Sequence, residues 1–562
     1  MRILGVSCWY HDAAAALLVD GEVVAAAAEE RFSRRKHDYD FPASAIRWIL
    51  EFAALEAPEL DYVVFYEKPL VKFERILASY LSTVPRSYAA YITAMPLWLR
   101  QKLWFERELR KQTGYRGKVL YCDHHGAHAA SAFLVSPFDE AAVLTVDGVG
   151  EWATTGVGRG RGNQVTLERE IRFPHSLGLL YSAVTAHLGF VVNNDEYKVM
   201  GLASYGSPSY RDAMAKLIRL NDDGSFALDL SYFAYHYGLR MLNAKGEALL
   251  GPRRQREGEI EQRHCDIAAS LQECLEEAVL NITRALRRET GLPRLCMSGG
   301  VALNCVANAR VLMEVPFDDV FIHPAAGDDG GALGAAVWAW NQVLDRPERW
   351  QMRDAYLGPE FGDEEIRRVL QAQGKPFEEI GYGQVPRKAA ELVYNNRIVG
   401  WFQGRMEWGP RALGSRSILA NACNPEMKDI LNAKVKHRED FRPFAPVMPA
   451  EDMKTYVDLP VESPYMLLIG DIHPDKRHLI PSVTHTDGTA RPQSVHRETN
   501  PLYYQVLREF ERLAAVPVVI NTSFNVRGEP IVCTPLDAFR CFAGTGIDDL
   551  IIGPFWVRKE DL

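Results

Sequence analysis

Two imidazoles one helical turn apart are the residues of this chain best spaced to do chemistry. Asp123-His124-His125-Gly126-Ala127-His128 opens a run of small residues, and His124 and His128 stand four apart. On a helix that spacing puts both rings on one face, a two-point metal grip without the catalytic Glu of an HExxH site. Two more ligands must come from elsewhere, and acidic strand ends offer them. Asp147 follows the apolar run AAVLTV, and Asp328 opens a helix after VFIHP. Two imidazoles and two carboxylates make a mixed N/O set that suits Fe(II), Zn(II) or Mn(II). The plainer alternative is a polar histidine cluster at a helix N-terminus.

Three further constellations carry possible chemistry. Ser298-Gly299-Gly300 sits between a strand and a helix, where glycines let a ligand approach the backbone and a helix N-terminus favours phosphate. Paired with Gly327-Asp328-Asp329-Gly330-Gly331, it suggests a nucleotide cleft of the actin-like kind, its phosphates flanked by the two strand–acid–strand hairpins. The C-terminal part holds Arg405, Arg411, Arg416, Lys436, Arg438, Arg442, Arg491 and Arg527, many beside Gly or Pro. Cations on rigid turns suit phosphates and carboxylates better than a solvated helix face does, although any one of them alone reads as surface charge. His11-Asp12 lies on the first hairpin turn, where the His could be a general base or a hydrogen-bonded turn residue.

The elements that must position these groups read as α/β. Strands are expected at 2–7, 13–19 and 23–28, the last two joined by the turn signal Asp20-Gly21. A similar strand–acidic turn–strand unit recurs at 141–157, which suggests an internal duplication. Residues 43–112 read as mainly helical, 262–290 as one helix stopped by Gly291-Leu292-Pro293, and 317–322 as a strand. The charged, proline-containing stretch after 343 marks a crossing between domains: 1–345, a linker at 346–385, and 386–562 with its own strands.

Composition sets the outer bounds. The chain has 562 residues, 47% hydrophobic and 24% charged, with a formal charge of −9 and no basic tail. That argues against a nucleic-acid-coating or membrane-surface protein. The nine cysteines are scattered without a CxxC pair, as expected of reduced thiols in the cytoplasm. The first residues have no signal-peptide layout, and no apolar run is long enough to span a bilayer.

Ordered motifs along nearly the whole chain resemble the NodU/CmcH family of O-carbamoyltransferases. They are HDAAAALLVDG at 11–21, EERFSRRKHD at 29–38, DHHGAHAASAF at 123–133, EYKVMGLASYG at 196–206, SGGVALNC at 298–305 and GDDGGALGAA at 327–336. The second half adds GRMEWGPRALGSRSIL at 404–419, KHREDFRPFAP at 436–446 and NTSFNVRGEPIV at 521–532. Ser204 stands where the family usually has Pro, and Asp195 where Gly usually precedes the Glu.

The resemblance implies a duplicated actin-like (ASKHA) domain, akin to the tRNA threonylcarbamoyl transferases, fused to a YrdC-like α/β domain. Its C-terminal part would make carbamoyl-adenylate from ATP, with Mg2+, and carbamoyl phosphate, using Lys436, Arg491, Arg411, Arg416, Arg438, Arg442, Ser523, Asn525 and Arg527. The N-terminal part would hold the metal, Fe(II) by preference, on His124, His128, Asp147 and Asp328. It would bind the adenylate near Asp147, Gly148, Lys198, Gly299, Gly300, Asn304 and Asp328. His11 would take the proton of a small-molecule acceptor hydroxyl, with Asp12 beside it. Nucleic acid and membrane are not expected as partners, and a homodimer is allowed. A tRNA-modifying threonylcarbamoyl transferase, an actin-like sugar kinase and a non-enzymatic nucleotide-binding regulator are the competing readings. ADP formation would mark the kinase.

Overall fold

The computed structural model describes residues 1–436 and 442–562. The chain divides into two units: the first is 1–29 with 37–352, the second 30–36 with 353–562.

The first unit contains two five-stranded sheets of one design. β1 (Arg2–Ser7), β2 (Ala14–Val19), β3 (Glu22–Ala28), β4 (Tyr62–Phe65) and β5 (Lys118–Tyr121) lie in the order β3-β2-β1-β4-β5. The β2–β3 turn needs left-handed backbone at both centres, and Asp20 (φ 49°) and Gly21 (φ 92°) supply it. β6 (Glu140–Val146), β7 (Ala153–Arg161) and β8 (Gln164–Arg172) form the antiparallel part of the second sheet. After a small ribbon of β9 (Ile218–Leu220) and β10 (Phe226–Leu228), it is completed by β11 (Arg294–Ser298) and β12 (Asp319–Ile322). Its order, β12-β11-β6-β7-β8, repeats the first sheet strand for strand. So do its pairings: in each sheet the first strand runs antiparallel to the second and parallel to the fourth. The duplicated α/β fold suggested by two acidic turns is therefore present in full.

Helix Gln262–Thr290 spans the predicted residues and ends at Gly291 with φ 68°, a left-handed cap. The stretch 43–112 is less helical than expected, because it contains β4. β4 is only four residues long and lies between helices, so its Tyr-Val-Val-Phe run does not stand out from a helical pattern.

The second unit is built on one mixed sheet of eight strands. In chain order these are β13 (Glu378–Glu379), β14 (Val399–Phe402), β15 (Arg416–Asn421), β16 (Ala445–Pro449), β20 (Gln493–Val495), β21 (Val519–Ser523), β22 (Asp549–Ile552) and β23 (Phe555–Arg558). A separate three-stranded sheet holds β17 (Val457–Asp458), β18 (Gly470–Ile472) and β19 (Thr489–Ala490). Helices Val385–Tyr394 and Pro501–Ala514 cover one face, closing a core around Trp401, Tyr503, Phe510 and Val519.

The expected linker at 346–385 is irregular up to 362 and then carries regular elements. Its part from 353 onward belongs to the second unit and carries helix Asp363–Ala372 and strand β13. Residues 30–36, read only as part of a motif, also fold with the second unit. There Arg31 donates to Gly409 O (2.9 Å), and Arg34 to Ile531 O (2.6 Å) and Pro530 O (2.9 Å). Among the described residues no helix is long and apolar enough to cross a membrane.

Candidate functional site

Two small-residue helices bring the four expected ligands together. Helix His124–Phe133 carries both imidazoles, and helix Asp328–Trp338 begins with Asp328. The helices cross so closely that a Cβ on Gly334 would meet Ala127 O at 2.0 Å, so no larger residue fits there. Asp147 arrives on the turn after β6, beneath Gly299. Gly299 has φ 96°, and a Cβ on it would strike Val146 O at 2.3 Å.

His124, His128, Asp147 and Asp328 are all buried, with one ligand atom from each inside a 4.8 Å span. His124 Nε2 lies 3.2 Å from Asp147 Oδ2 and 3.7 Å from Asp328 Oδ1, and His128 Nε2 lies 3.6 Å from that same Asp328 oxygen. The atoms of Asp147, Asp328 and His128 that face away from this centre are held by other residues, whereas His124 Nδ1 has no hydrogen-bond partner. Gly300 N–H donates to Asp147 Oδ1 (2.9 Å), Tyr66 OH to Asp328 Oδ2 (3.3 Å), and Ser298 Oγ lies 3.3 Å from His128 Nδ1. The backbone N–H of His124 donates to both oxygens of Glu151 (3.1 Å each). His128 Nε2 and Asp328 Oδ1 are sealed from water without a hydrogen-bond partner. Two orphaned inward atoms, in a two-imidazole, two-carboxylate set with outer partners, fit a divalent metal ion.

The electrostatics agree. Burial alone would make His124 neutral, but Asp328 and Asp147 raise its pKa above the ordinary histidine value. Burial would likewise push both aspartates up, yet the neighbouring imidazoles hold Asp147 and Asp328 below the usual carboxylate range. The pocket thus favours charged carboxylates and attracts cations. His125, which sequence reasoning left unassigned, faces the other way toward Thr145 Oγ1 (2.7 Å), and burial drives it to about 3.

His11 sits at the edge of this centre and donates to Asp12 Oδ2 (2.7 Å); His37 donates to the other Asp12 oxygen (2.7 Å). Asp12 therefore orients the imidazole. A general base must be neutral, and the His11 ring in this setting is not. Burial lowers its pKa, but Asp328, Asp12 and Asp147 outweigh it and lift His11 to about 10. Tyr10, next in the chain, is raised by burial and by Asp147 and Asp328, so its phenol stays protonated.

The other first-unit expectations divide. Gly299 and Gly300 bend the chain over Asp147, so the Gly300 amide serves a candidate metal ligand instead of a phosphate. Gly148 carries the carbonyl that accepts from Ser176 Oγ (2.7 Å). Asn304 caps helix Cys305–Glu314 and exchanges two hydrogen bonds with Gln272 (3.0 and 2.9 Å). Lys198 is buried and paired with Asp195 (3.0 Å), the residue that stands in place of the family's Gly.

In the second unit, register gathers the predicted cations at one end of the sheet. Ser523 pairs with Ser417 near the start of β15, Asn521 with Ala445 at the start of β16, and Val447 with Gln493 at the start of β20. Arg442 and Arg491, just before β16 and β20, thus share that end with Arg411, Ser523 and Asn525. Lys436 is brought there too, donating to Ser523 O, to Asn525 O (3.0 Å) and to Asn525 Oδ1 (3.0 Å). Arg527 is exposed just beyond the turn. Arg438 lies outside the described residues.

Arg416 corrects the expectation of a phosphate ligand. It is fully buried, and its guanidinium donates to four carbonyls: Gln403 (2.8 Å), Ser415 (3.0 Å), Pro359 (2.9 Å) and Gly404 (3.1 Å). Burial lowers its pKa to about 10. It shapes the 404–416 loop together with Glu407, whose carboxylate accepts the N–H groups of Leu413, Ser415 and Arg416 at 2.7–3.1 Å. Sequence reasoning missed Glu407, Tyr66 and Glu151; each is a single residue with no spacing signal.

The family model described as the carbamoyltransferase N-terminus matches residues 2–337, and that described as the carbamoyltransferase C-terminus matches 390–559. An uncharacterised Synechocystis protein is 49% identical over 99% of this chain and 97% of its own. Nodulation protein NolNO of Sinorhizobium fredii is 36% identical over 98% of this chain and 79% of its own. The 3'-hydroxymethylcephem-O-carbamoyltransferase of Streptomyces clavuligerus is 31% identical over 65% of each chain. Matched in both halves and along most of its length, the chain belongs to the carbamoyltransferase family and is a transferase enzyme.

Proposed function

We propose that the protein is an ATP-dependent O-carbamoyltransferase with two sites. The observation that carries this reading is the buried cluster His124–His128–Asp147–Asp328, with orphaned atoms facing one centre, in a chain of this family. A divalent ion held there supplies Lewis-acid polarisation of a carbamoyl carbonyl.

The second unit is proposed to be YrdC-like and to make the intermediate. Carbamoyl phosphate gives up its phosphate to water; the resulting carbamate oxygen attacks the α-phosphorus of ATP, and pyrophosphate leaves. Lys436, Arg411, Arg442, Arg491 and Arg527 would balance the charge on the phosphates, with Ser523 and Asn525 orienting them. Phosphate binding would release Lys436 from the 523–525 turn.

In the first unit the acceptor hydroxyl oxygen attacks the carbamoyl carbon. The bond to the adenylate phosphate breaks, and AMP departs with its electron pair. The surrounding carboxylates hold the His11 ring charged, and His11, fixed by Asp12, would take the acceptor's proton only once a divalent ion held by Asp147 and Asp328 offsets those carboxylates and leaves the ring neutral. The acceptor class is a small hydroxylated molecule, and the cytoplasm is the proposed location.

The test supplies ATP, carbamoyl phosphate and candidate hydroxylated acceptors, then quantifies AMP, pyrophosphate, phosphate and ADP. AMP with carbamoyl-phosphate-dependent pyrophosphate supports the reading. ADP as the nucleotide product overturns it in favour of a kinase.

A further inference from the structure

The exposed apolar surface of this protein is concentrated in one place. Nine of the nineteen large apolar side chains exposed among the described residues fall between Leu70 and Trp104. Helices Pro69–Leu81 and Tyr88–Leu97 form a hairpin there, followed by helix Phe105–Thr113. Its inner side is anchored: Ala90, Met95 and Trp98 are buried, and Trp98 packs 6.0 Å from Phe73. Its outer side presents Leu81, Tyr88, Ile92, Leu97, Leu99 and Trp104, each 45–68% exposed. A helix that is apolar on nearly every side is normally buried, and this one, YAAYITAMPL, is not.

Charge separates this region from the rest. Residues 82–118 hold eight Lys and Arg against two Glu, in a chain whose formal charge is −9. Helix Tyr88–Leu97 carries no charge, and exposed Arg86 and Arg100 bracket it. Both glutamates are already paired within their own helix, Glu106 with Arg110 and Glu108 with Lys111.

We propose that this hairpin is a docking surface for an anionic lipid bilayer, with the uncharged helix lying in the interface and the flanking cations at headgroup level. An outward-facing apolar helix, amphipathic Tyr and Trp at its margins, and cations at both ends are the features that hold a helix on an acidic membrane. A symmetric second copy fits worse, because it would set one basic patch against another. The acidic total charge argued against a membrane, but that total averages over an uneven chain. This inference does not depend on the proposed reaction.

The experiment is flotation of the full chain with vesicles of phosphatidylcholine alone or mixed with phosphatidylglycerol, with light scattering alongside. The expected result is binding to the mixed vesicles only, weakened by salt. Ile92→Glu/Leu99→Glu should abolish it. Arg86→Gln/Arg100→Gln should weaken it about 25-fold, at roughly fivefold per cation. An unchanged circular dichroism melt identifies the variants as folded; a variant that fails this is replaced by Tyr88→Ser/Leu97→Ser. Absence of binding, equal binding to neutral vesicles, or binding indifferent to folded variants would overturn the proposal. So would a dimer in solution that these substitutions dissociate.

Discussion

The two candidate sites are built in opposite ways. In the first unit the side chains that face the centre are sealed from water and left incomplete: His128 Nε2 and Asp328 Oδ1 have no hydrogen-bond partner, while the far sides of Asp147, Asp328 and His128 are held by Gly300, Tyr66 and Ser298. In the second unit the key cation is already satisfied, because Lys436 donates to the Ser523–Asn525 turn. The first arrangement is a fixed hole for a cation, so its cost is paid by whatever ion fills it. The second is a set of polar bonds that a phosphate can exchange for its own. A resident metal needs the former and a substrate that comes and goes needs the latter.

Breaking the fixed site should have the largest effect. His124→Ala/His128→Ala removes half the donor set, so bound metal should be lost and acceptor carbamoylation should fall by at least about 1,000-fold. Metal content by plasma emission spectrometry and product formation check this. Full metal retention would remove these residues from the site.

The second site is sharpened by setting Lys436 against Arg416. Lys436→Ala should slow carbamoyl-phosphate-dependent pyrophosphate release about 30- to 1,000-fold, or roughly 2–4 kcal/mol of transition-state stabilisation, with little change in melting. Arg416→Met strands four carbonyls, three of them on buried residues, and should instead destabilise the second unit by about 3–5 kcal/mol, seen in urea titration. A stable Arg416→Met protein that loses only pyrophosphate release would restore Arg416 as a ligand.

The supports of the metal centre come next. Tyr66→Phe frees one oxygen of Asp328 and Ser298→Ala frees His128 Nδ1, so each should weaken metal affinity about 10- to 100-fold. Competition with a chelating dye measures it, and unchanged affinity would assign both residues to packing.

What the sequence shows and hides follows the same contrast. His124, His128, Asp147 and Asp328 were legible because each stands at a recognisable place: one helical face, a strand end, a helix start. The duplication was legible from two acidic turns. Tyr66 was hidden because it directly follows a four-residue strand that does not break the helical pattern around it. Arg416 was misread because a cation on a Gly-rich turn looks the same whether its guanidinium meets carbonyls or phosphate. Asn304 is ambiguous for the same reason: a helix N-cap and a ligand-binding amide share one local signature.

A further difference between the units is expected in acid stability, read as melting and not as a rate. Burial holds His125 at about 3 and His187 and His323 at about 4 in the first unit, and His485 at about 4 in the second. These rings stay neutral in the fold, whereas the unfolded chain takes up protons below about 6.5. Their depressed values cost nothing above that pH. Stability then falls as pH drops from about 6.5 toward 4, by up to about 1.4 kcal/mol per pH unit per ring. Calorimetry of the metal-free protein should show the first unit's transition moving down faster than the second's; parallel shifts would contradict that distribution.

In the proposed scheme adenylate formation and carbamoyl transfer are separate events on separate residues. Giving ATP, carbamoyl phosphate and acceptor to the folded His124→Ala/His128→Ala protein, and quantifying pyrophosphate, AMP and carbamoylated acceptor, separates them. The expected result is pyrophosphate release at the wild-type rate, AMP from hydrolysis of the stranded intermediate, and no carbamoylated acceptor. Loss of pyrophosphate release together with transfer would contradict it, because the metal cluster would then be required for the first step as well.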